Sequence, residues 1–342
     1  MSERKKTTIV DIANHLGITP SAVSKAFSDH PRISAKTKKA VLEAAEELGY
    51  QRNSLATGLR KGRSGLIGVL VPGIHLSFFA TIIKAIEETL SEGGYNVIIA
   101  QSQDNYEKEC AHLDALMKAQ VEGIIASVAL ETQTAAHYSK IGMRIPLVLF
   151  DRTLRDLEVS KVVVDDYIGS VKAVDHLVAK GYQRIAHIAG YEHIEPFRIR
   201  TQGYREALKR HGIEPRSTFI KPCKLTISDG VDIMNDLLKL PGPPDAVYAA
   251  SDLPAFGALT VLKERGIKVP EEFGLIGFSN EAYTSMVTPT LSTMEQHSEN
   301  IGVLAAKSVM EQLTDLHMGK EHVPRQNVLT PKLVARESTN RP

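Results

Sequence analysis

From residue 66 onward the chain alternates between short apolar runs and segments of helical periodicity, and no other feature limits its fold so tightly. The run LIGVLV at 66–71 is followed by Phe79, Ile82, Ile83, Ile86 and Leu90 at helical spacing, and Gly93 and Gly94 close that segment. Apolar runs recur at 97–100, 123–127 and 146–150, with a helical pattern at 106–119 and another before 146. A second series begins after the run at 161–164. It reads as helix 166–180, strand 184–189, helix 197–211, strand 219–221, helix 228–239, strand 246–249, helix 254–265 and strand 274–277. Strands that are apolar along their whole length are buried on both faces, and strands separated by helices pair in parallel. Two such series predict an α/β body of two doubly wound subdomains, with a cleft where the strand ends face each other. The segment 290–296 reads as a crossover to the first subdomain, helix 299–316 as a cap on it, and 326–329 as the last crossing. The expected boundaries are 64–164 with 294–326 for the first subdomain, and 165–293 with 327–342 for the second.

The residues at those strand ends are polar in a particular way. Asp151 and Arg152 follow the run at 146–150, and Arg198 and Arg200 open the helix after 184–189. Asp252 follows 246–249, and Ser279 and Asn280 follow 274–278. Carboxylate, guanidinium and amide groups can converge on the hydroxyls of a polyol, with Phe78 and Phe79 against its apolar face. Asp252 fits a helix cap as well, and an Arg near an Asp fits an internal salt bridge. No nucleotide-binding glycine loop stands at the first strand turn, which reads VPGIHLSFF, and neither HExxH nor GxSxG occurs. No catalytic residue, cofactor or metal is assigned. The two cysteines, Cys110 and Cys223, imply neither a disulfide framework nor a Cys-based metal site.

The first 63 residues differ from the rest in charge. They carry 12 Lys and Arg against 6 Asp and Glu, whereas the remaining 279 residues carry 29 against 34. A basic head on a mildly acidic body suits a nucleic-acid-binding module on a carrier that does not bind nucleic acid itself. Three short helices are expected in the head. Ile9, Ile12, Ala13 and Leu16 share the face of the first, which Thr7 or Thr8 caps and Gly17 ends. Thr19 caps the second with Pro20 at its first position, Val23 and Ala26–Phe27 turned inward and Ser21, Ala22, Ser24 and Lys25 outward. Ser34 caps the third, with Thr37, Val41, Leu42, Ala45 and Leu48 on its apolar side. Helix, glycine turn and second short helix make a helix-turn-helix. Ser21 and Ala22 are placed to reach base edges, and Lys25 a guanine or a phosphate. Thr8, Ser24, Ser28, Ser34, Thr37 and Lys38 are placed for phosphates, which set position rather than sequence. Asn53 is expected to cap a marginal helix from Ser54 to Leu59. Leu59 lies among Gly58, Arg60, Lys61 and Arg63, so it reads as an apolar wedge for a minor-groove base step, or as a linker residue.

Residues 7–63, TTIVDIANHLGITPSAVSKAFSDHPRISAKTKKAVLEAAEELGYQRNSLATGLRKG, resemble the DNA-binding head of the lactose-repressor/galactose-repressor (LacI/GalR) family of bacterial regulators. GYQRIAHIAG, RIRTQGYREAL, AASDLPAFGAL and GLIGFSN extend the resemblance to about residue 336. It implies a helix-turn-helix domain at 1–51, a hinge helix and linker at 52–63, and a core at 64–342 of the type I periplasmic-binding-protein kind. Pro20, Ser21 and Ala22 take the operator-reading positions, and Lys25 that of the recognition helix's basic residue. Ala56 and Leu59 take the hinge positions that enter the minor groove. Arg200 and Asp252 are the foremost effector-binding positions, followed by Phe79, Asp151, Asp165 and Asn280. Ser279 stands where family members often carry an aspartate.

The implied function is a sequence-specific transcription regulator, a repressor, that binds a palindromic operator on double-stranded DNA as a homodimer. Its DNA affinity answers to a small carbohydrate-like effector, a sugar or sugar acid, in the cleft. The dimer is expected to form through helix faces near 76–92 and 106–118, and no heptad tail follows the core to favour a tetramer. A nucleobase, nucleoside, sugar phosphate or corepressor protein is the alternative effector, and activation the alternative outcome. A solute-binding protein would begin with a signal peptide, which MSERKKTTIVDIANHLG does not resemble. An enzyme would need a catalytic group that no motif marks. No apolar run is long enough to span a bilayer, so the protein is expected in the cytoplasm.

Overall fold

The computed structural model describes residues 7–50 and 63–341. The chain divides into two units, residues 1–64 and 65–342. Asn53, Ala56, Leu59 and Arg60 lie outside the described residues, as does the whole expected hinge helix.

In the head, α1 (Ile9–Leu16), α2 (Pro20–Phe27) and α3 (Ala35–Glu47) form where their caps require. Thr8 and Asp11 make a capping box, with the Thr8 N–H and hydroxyl both 2.7 Å from the Asp11 carboxylate. Gly17 ends α1 at φ +63°, a left-handed conformation that glycine adopts without steric cost. The Thr19 hydroxyl caps α2 through the Ala22 N–H at 3.1 Å, and that of Ser34 caps α3 through the Thr37 N–H at 3.1 Å. Ile12, Ala13, Val23, Ala26, Val41, Ala44 and Ala45 are buried between the three helices. Leu42, placed inward by the sequence reading, is 59% exposed. One helical step is about 100°, and Ala44 takes the inward position instead.

In the body, β1 (Leu66–Val71), β2 (Asn96–Gln101), β3 (Gly123–Ala126), β4 (Leu147–Phe150), β5 (Ser160–Val164) and β11 (Gln326–Leu329) make a six-stranded parallel sheet of order β11-β5-β4-β3-β1-β2. Side chains alternate across it. Ile67, Val69 and Val71 pack with α4 (Ser77–Glu92) and α11 (Ser298–His317). Leu70, Ile124 and Leu149 pack with α5 (Tyr106–Lys118) and α6 (Ala136–Gly142). The second lobe has β7-β6-β8-β9, from Ile220–Pro222, Ile185–Ala189, Ala246–Ala249 and Gly274–Ile276, again all parallel. It is covered on one face by α7 (Asp166–Ala179) and α8 (Glu195–Arg210), and on the other by α9 (Ile227–Leu238) and α10 (Asp252–Glu264). An antiparallel pair, β10 (Thr293–Glu295) with β12 (Lys332–Val334), completes that lobe.

Two expected boundaries move. Gln326–Leu329 pairs with β5, so it belongs to the first sheet and the last crossing falls at 330–331. Thr293–Glu295 pairs with β12 in the second lobe, so the return to the first lobe falls at 296–297, not at 293–294. Parallel pairing of β11 satisfies the backbone of an otherwise open β5 edge, which periodicity alone does not reveal.

Candidate ligand cleft and nucleic-acid interface

In the head, the core residues Val23 and Ala26 fix how α2 is turned, so Pro20, Ser21 and Lys25 are exposed and Ala22 is half-buried beside them. Thr8, Ser28 and Ser34 are exposed too, but their hydroxyls already serve the chain. Thr8 and Ser34 cap helices, and the Ser28 hydroxyl donates to the Lys25 carbonyl at 3.1 Å. The Thr37 hydroxyl lies 2.9 Å from that of Ser34. Lys38 pairs with Asp29 at 2.5 Å, which takes one cation out of the basic surface.

In the body, a cavity of about 470 Å³ opens between the two lobes at the carboxyl ends of both sheets. Phe78, Phe79 and Phe197 supply apolar walls, and Asp151, Arg200, Ser251, Ser279, Glu281 and Gln296 supply polar groups. Asp151 follows β4 in a left-handed conformation, φ +56°, and among the described residues its carboxylate accepts a long bond from the Ser127 hydroxyl at 3.3 Å and lies 4.0 Å from the Arg152 Nε. Burial raises its pKa, opposed by the nearby Arg152 and Arg200. Arg152 itself is tied to Asp104 at 2.5 Å.

Arg200 is almost wholly buried. Its Nε donates to Asp166 at 2.7 Å, Nη1 to the Ala250 carbonyl at 2.7 Å and Nη2 to Gln296 Oε1 at 3.2 Å. Its guanidinium carbon lies 3.7 Å from the centre of the Phe278 ring. A guanidinium has five N–H donors, so the fork keeps donor capacity for a ligand. Burial raises the Asp166 carboxyl to about 6, against the pull of the adjacent guanidinium.

Four expected effector residues do not line this cavity. Asp252 is fully buried and spends its carboxylate on the Thr293 hydroxyl at 2.6 Å and the Glu281 N–H at 2.8 Å. Gly277 permits this, because a Cβ there would sit 2.1 Å from Asp252 Oδ1. Asn280 turns away to Glu295 at 2.5 Å and to Arg336 at 2.8 Å, while its neighbour Ser279 faces the cavity and accepts from Gln296 Nε2 at 2.9 Å. Asp165 caps α7 through the Ile168 N–H at 2.9 Å. Arg198 pairs with Glu195 at 3.0 Å, one helical turn away. Phe78, Phe79, Asp151 and Arg200 are brought together. Glu281, Gln296, Ser251 and Asp166 were not singled out from the sequence. Gln296 and Asp166 carried no signal, since their roles come from long-range bonds, Asp166 to Arg200 and Gln296 to Arg200 and Ser279.

A helix-turn-helix head joined to a two-lobed body with a polar interlobe cavity defines a ligand-responsive DNA-binding protein. Two family models match the chain: bacterial regulatory proteins of the lacI family over residues 8–53, and a periplasmic binding protein-like domain over 174–339. The HTH-type transcriptional repressor CytR of Escherichia coli (strain K12) is 32% identical over 312 residues, 91% of each chain. The lac repressor dimer bound to operator and the anti-inducer ONPF aligns with a TM-score of 0.86 at 26% identity, over 98% of this chain and 99% of that one. The transcriptional regulator CelR in complex with cellobiose aligns with a TM-score of 0.73 at 28% identity, over 97% and 100%. The chain belongs to the LacI family of bacterial regulatory proteins. It is a sequence-specific DNA-binding regulator of transcription under small-molecule control and not an enzyme, and like the regulators of its family it works in the cytoplasm. Among the described residues no helix is long and apolar enough to cross a membrane.

Proposed function

We propose that this regulator is a repressor that binds a palindromic operator as a homodimer, and that its cleft takes a small, hydroxyl-rich, carbohydrate-like effector. The observation that carries the reading is the lining of the cleft. Asp151 has unused acceptor capacity, Arg200 has unused donor capacity, and three aromatic rings stand beside them. That combination suits a ring with hydroxyl edges and an apolar face. Cellobiose, held by a similar regulator, is a ligand of that chemistry.

On DNA, Pro20, Ser21 and Ala22 read base edges and Lys25 reaches a guanine or a phosphate. Ser24, Ser34 and Thr37 set position along the backbone, joined by Thr8 and Ser28 when their hydroxyl protons leave Asp11 and the Lys25 carbonyl for a phosphate, and Asn53, Ala56, Leu59 and Arg60 act at the central minor groove. Two half-sites need two heads at fixed spacing. The dimer uses the open edge of β2 beside α5, where Ile99 is 47% exposed and Ile98, Ala100 and Ala115 line a shallow groove. The effector shifts the lobes between two arrangements by binding one better than the other, and so changes the spacing of the two 53–61 segments.

A thermal-shift screen of the full chain against sugars, sugar acids, sugar phosphates and nucleobases tests the ligand class. Stabilisation by sugars is expected, and stabilisation by nucleobases alone contradicts it.

A further inference from the structure

The first turn of α4 lacks a cap of its own. Its N-cap residue is Leu76, which has no side-chain acceptor. A carboxylate from the other lobe fills the gap. The Ser77 N–H donates to Glu281 Oε2 at 3.0 Å, the Phe78 N–H to Glu281 Oε1 at 3.2 Å, and the Ser77 hydroxyl to Glu281 Oε2. The Ala282 N–H returns a bond to the Ser77 hydroxyl at 3.3 Å. Glu281 is 6% exposed and lines the cavity. Its backbone is held from behind by Asp252, and the preceding Asn280 N–H by Thr293 at 3.2 Å. A second tie joins the lobes. His193 Nε2 lies 2.6 Å from the Leu130 carbonyl, and the Leu130 side chain is buried in the core of the second lobe.

A helix N-terminus carries partial positive charge and unpaired N–H groups, and a carboxylate is its natural partner. In this cleft that partner is already present, and it is covalently part of the opposite lobe. Of the described cations that line the cavity, Arg152 is tied to Asp104 and Arg200 to Asp166, while Lys224 is exposed. We propose that Glu281 is a specificity-determining residue of the cleft. It latches the two lobes together and occupies the N-terminal end of α4 that faces the ligand, so that end is closed to an anionic group and a neutral effector is preferred over its acid. This rests on the reading of the cavity as the effector site, and it narrows a sugar or sugar acid to a neutral molecule.

The test uses the full chain as wild type, Glu281→Ala and Glu281→Gln, with amide hydrogen exchange read by mass spectrometry. In E281A, exchange should rise about tenfold or more both at 77–79 and at Ala282, whose N–H donates across the cleft to the Ser77 hydroxyl, because a hydrogen bond to a charged group is lost between the lobes. Strands Leu66–Val71 and Ile185–Ala189 should keep their protection. Acetate should slow exchange at 77–79 in E281A by capping α4, and acetamide should not, but untethered acetate should leave Ala282 fast; neither should alter the wild type. E281Q retains the shape and one acceptor, so it should fall between the two and keeps the test valid if E281A folds poorly. Faster exchange confined to 77–79, or acetate restoring slow exchange at Ala282 as well, would show a local helix cap and overturn the latch. The ligand arm compares neutral sugars with their uronates in matched pairs. Wild type stabilised by a uronate as strongly as by its neutral partner overturns the exclusion while leaving the carbohydrate reading intact. Stabilisation by nucleobases alone overturns the carbohydrate reading and leaves the exchange result standing.

Discussion

Replacing Arg200 with alanine should cost the body about 3–5 kcal/mol, the usual loss when one partner of a buried ion pair is removed and the other stays. Arg200 and Asp166 are 3% and 5% exposed, so water does not take over the vacated positions readily. Three bonds are lost together, to Asp166, to the Ala250 carbonyl and to Gln296, along with the stacking on Phe278. The deficit should depend on pH. Burial holds the Asp166 carboxyl at about 6 even with Arg200 beside it, above its ordinary 3.8. Without the guanidinium the folded-state value rises further. The folded variant then binds a proton that the unfolded chain has released, so its stability falls as pH rises from about 4 through the folded value. The loss should be smaller at pH 5 than at pH 8. Urea unfolding followed by far-ultraviolet circular dichroism suits a chain with no tryptophan. A cycle with Asp166→Asn isolates the pair, and a coupling above about 1.5 kcal/mol is expected for groups in direct contact. A total loss under about 1 kcal/mol, or a coupling near zero, would refute the argument that this pair organises the cleft.

Asp252→Ala leaves the Glu281 N–H and the Thr293 hydroxyl unpaired in the interior and should cost about 2–5 kcal/mol, whereas Asp252→Asn should stay within about 1 kcal/mol. Burial, with the Glu281 charge adding to it, raises Asp252 from 3.8 to about 7. Wild-type stability should therefore decline between about pH 4 and 7 relative to D252N, and parallel pH profiles would contradict the assignment. Leu59→Ala should weaken operator binding far more than binding to random duplex at the same salt concentration. Equal losses on both would show that Leu59 is no specificity wedge.

The fold was legible because burial on both faces writes itself as uniformly apolar strands. LIGVLV at 66–71 and AVYA at 246–249 coincide with observed strands to the residue. The head was legible through its caps, Thr8, Thr19 and Ser34, which act locally within three residues. The cleft was legible only in part, because its partnerships are long-range. Asp252 stands at a strand end beside the cleft, but Thr293 and the glycine at 277 draw it behind the surface. Ser279 and Asn280 are adjacent, at φ +137° and +56°, and this irregular backbone sends one toward the cavity and the other away. Glu281 left a trace in the apolar N-cap at Leu76, a helix start without its own acceptor, though nothing local says that the acceptor lies some two hundred residues on.

The most direct measurement of the central claim is selection of duplexes by the full chain from a random pool at fixed salt, followed by binding of the enriched sequence with and without the stabilising effector. The account predicts an inverted repeat bound at least about a thousandfold more tightly than random DNA, with an affinity that the effector changes. Enrichment of no inverted repeat, or an affinity that the effector leaves unaltered, would contradict it.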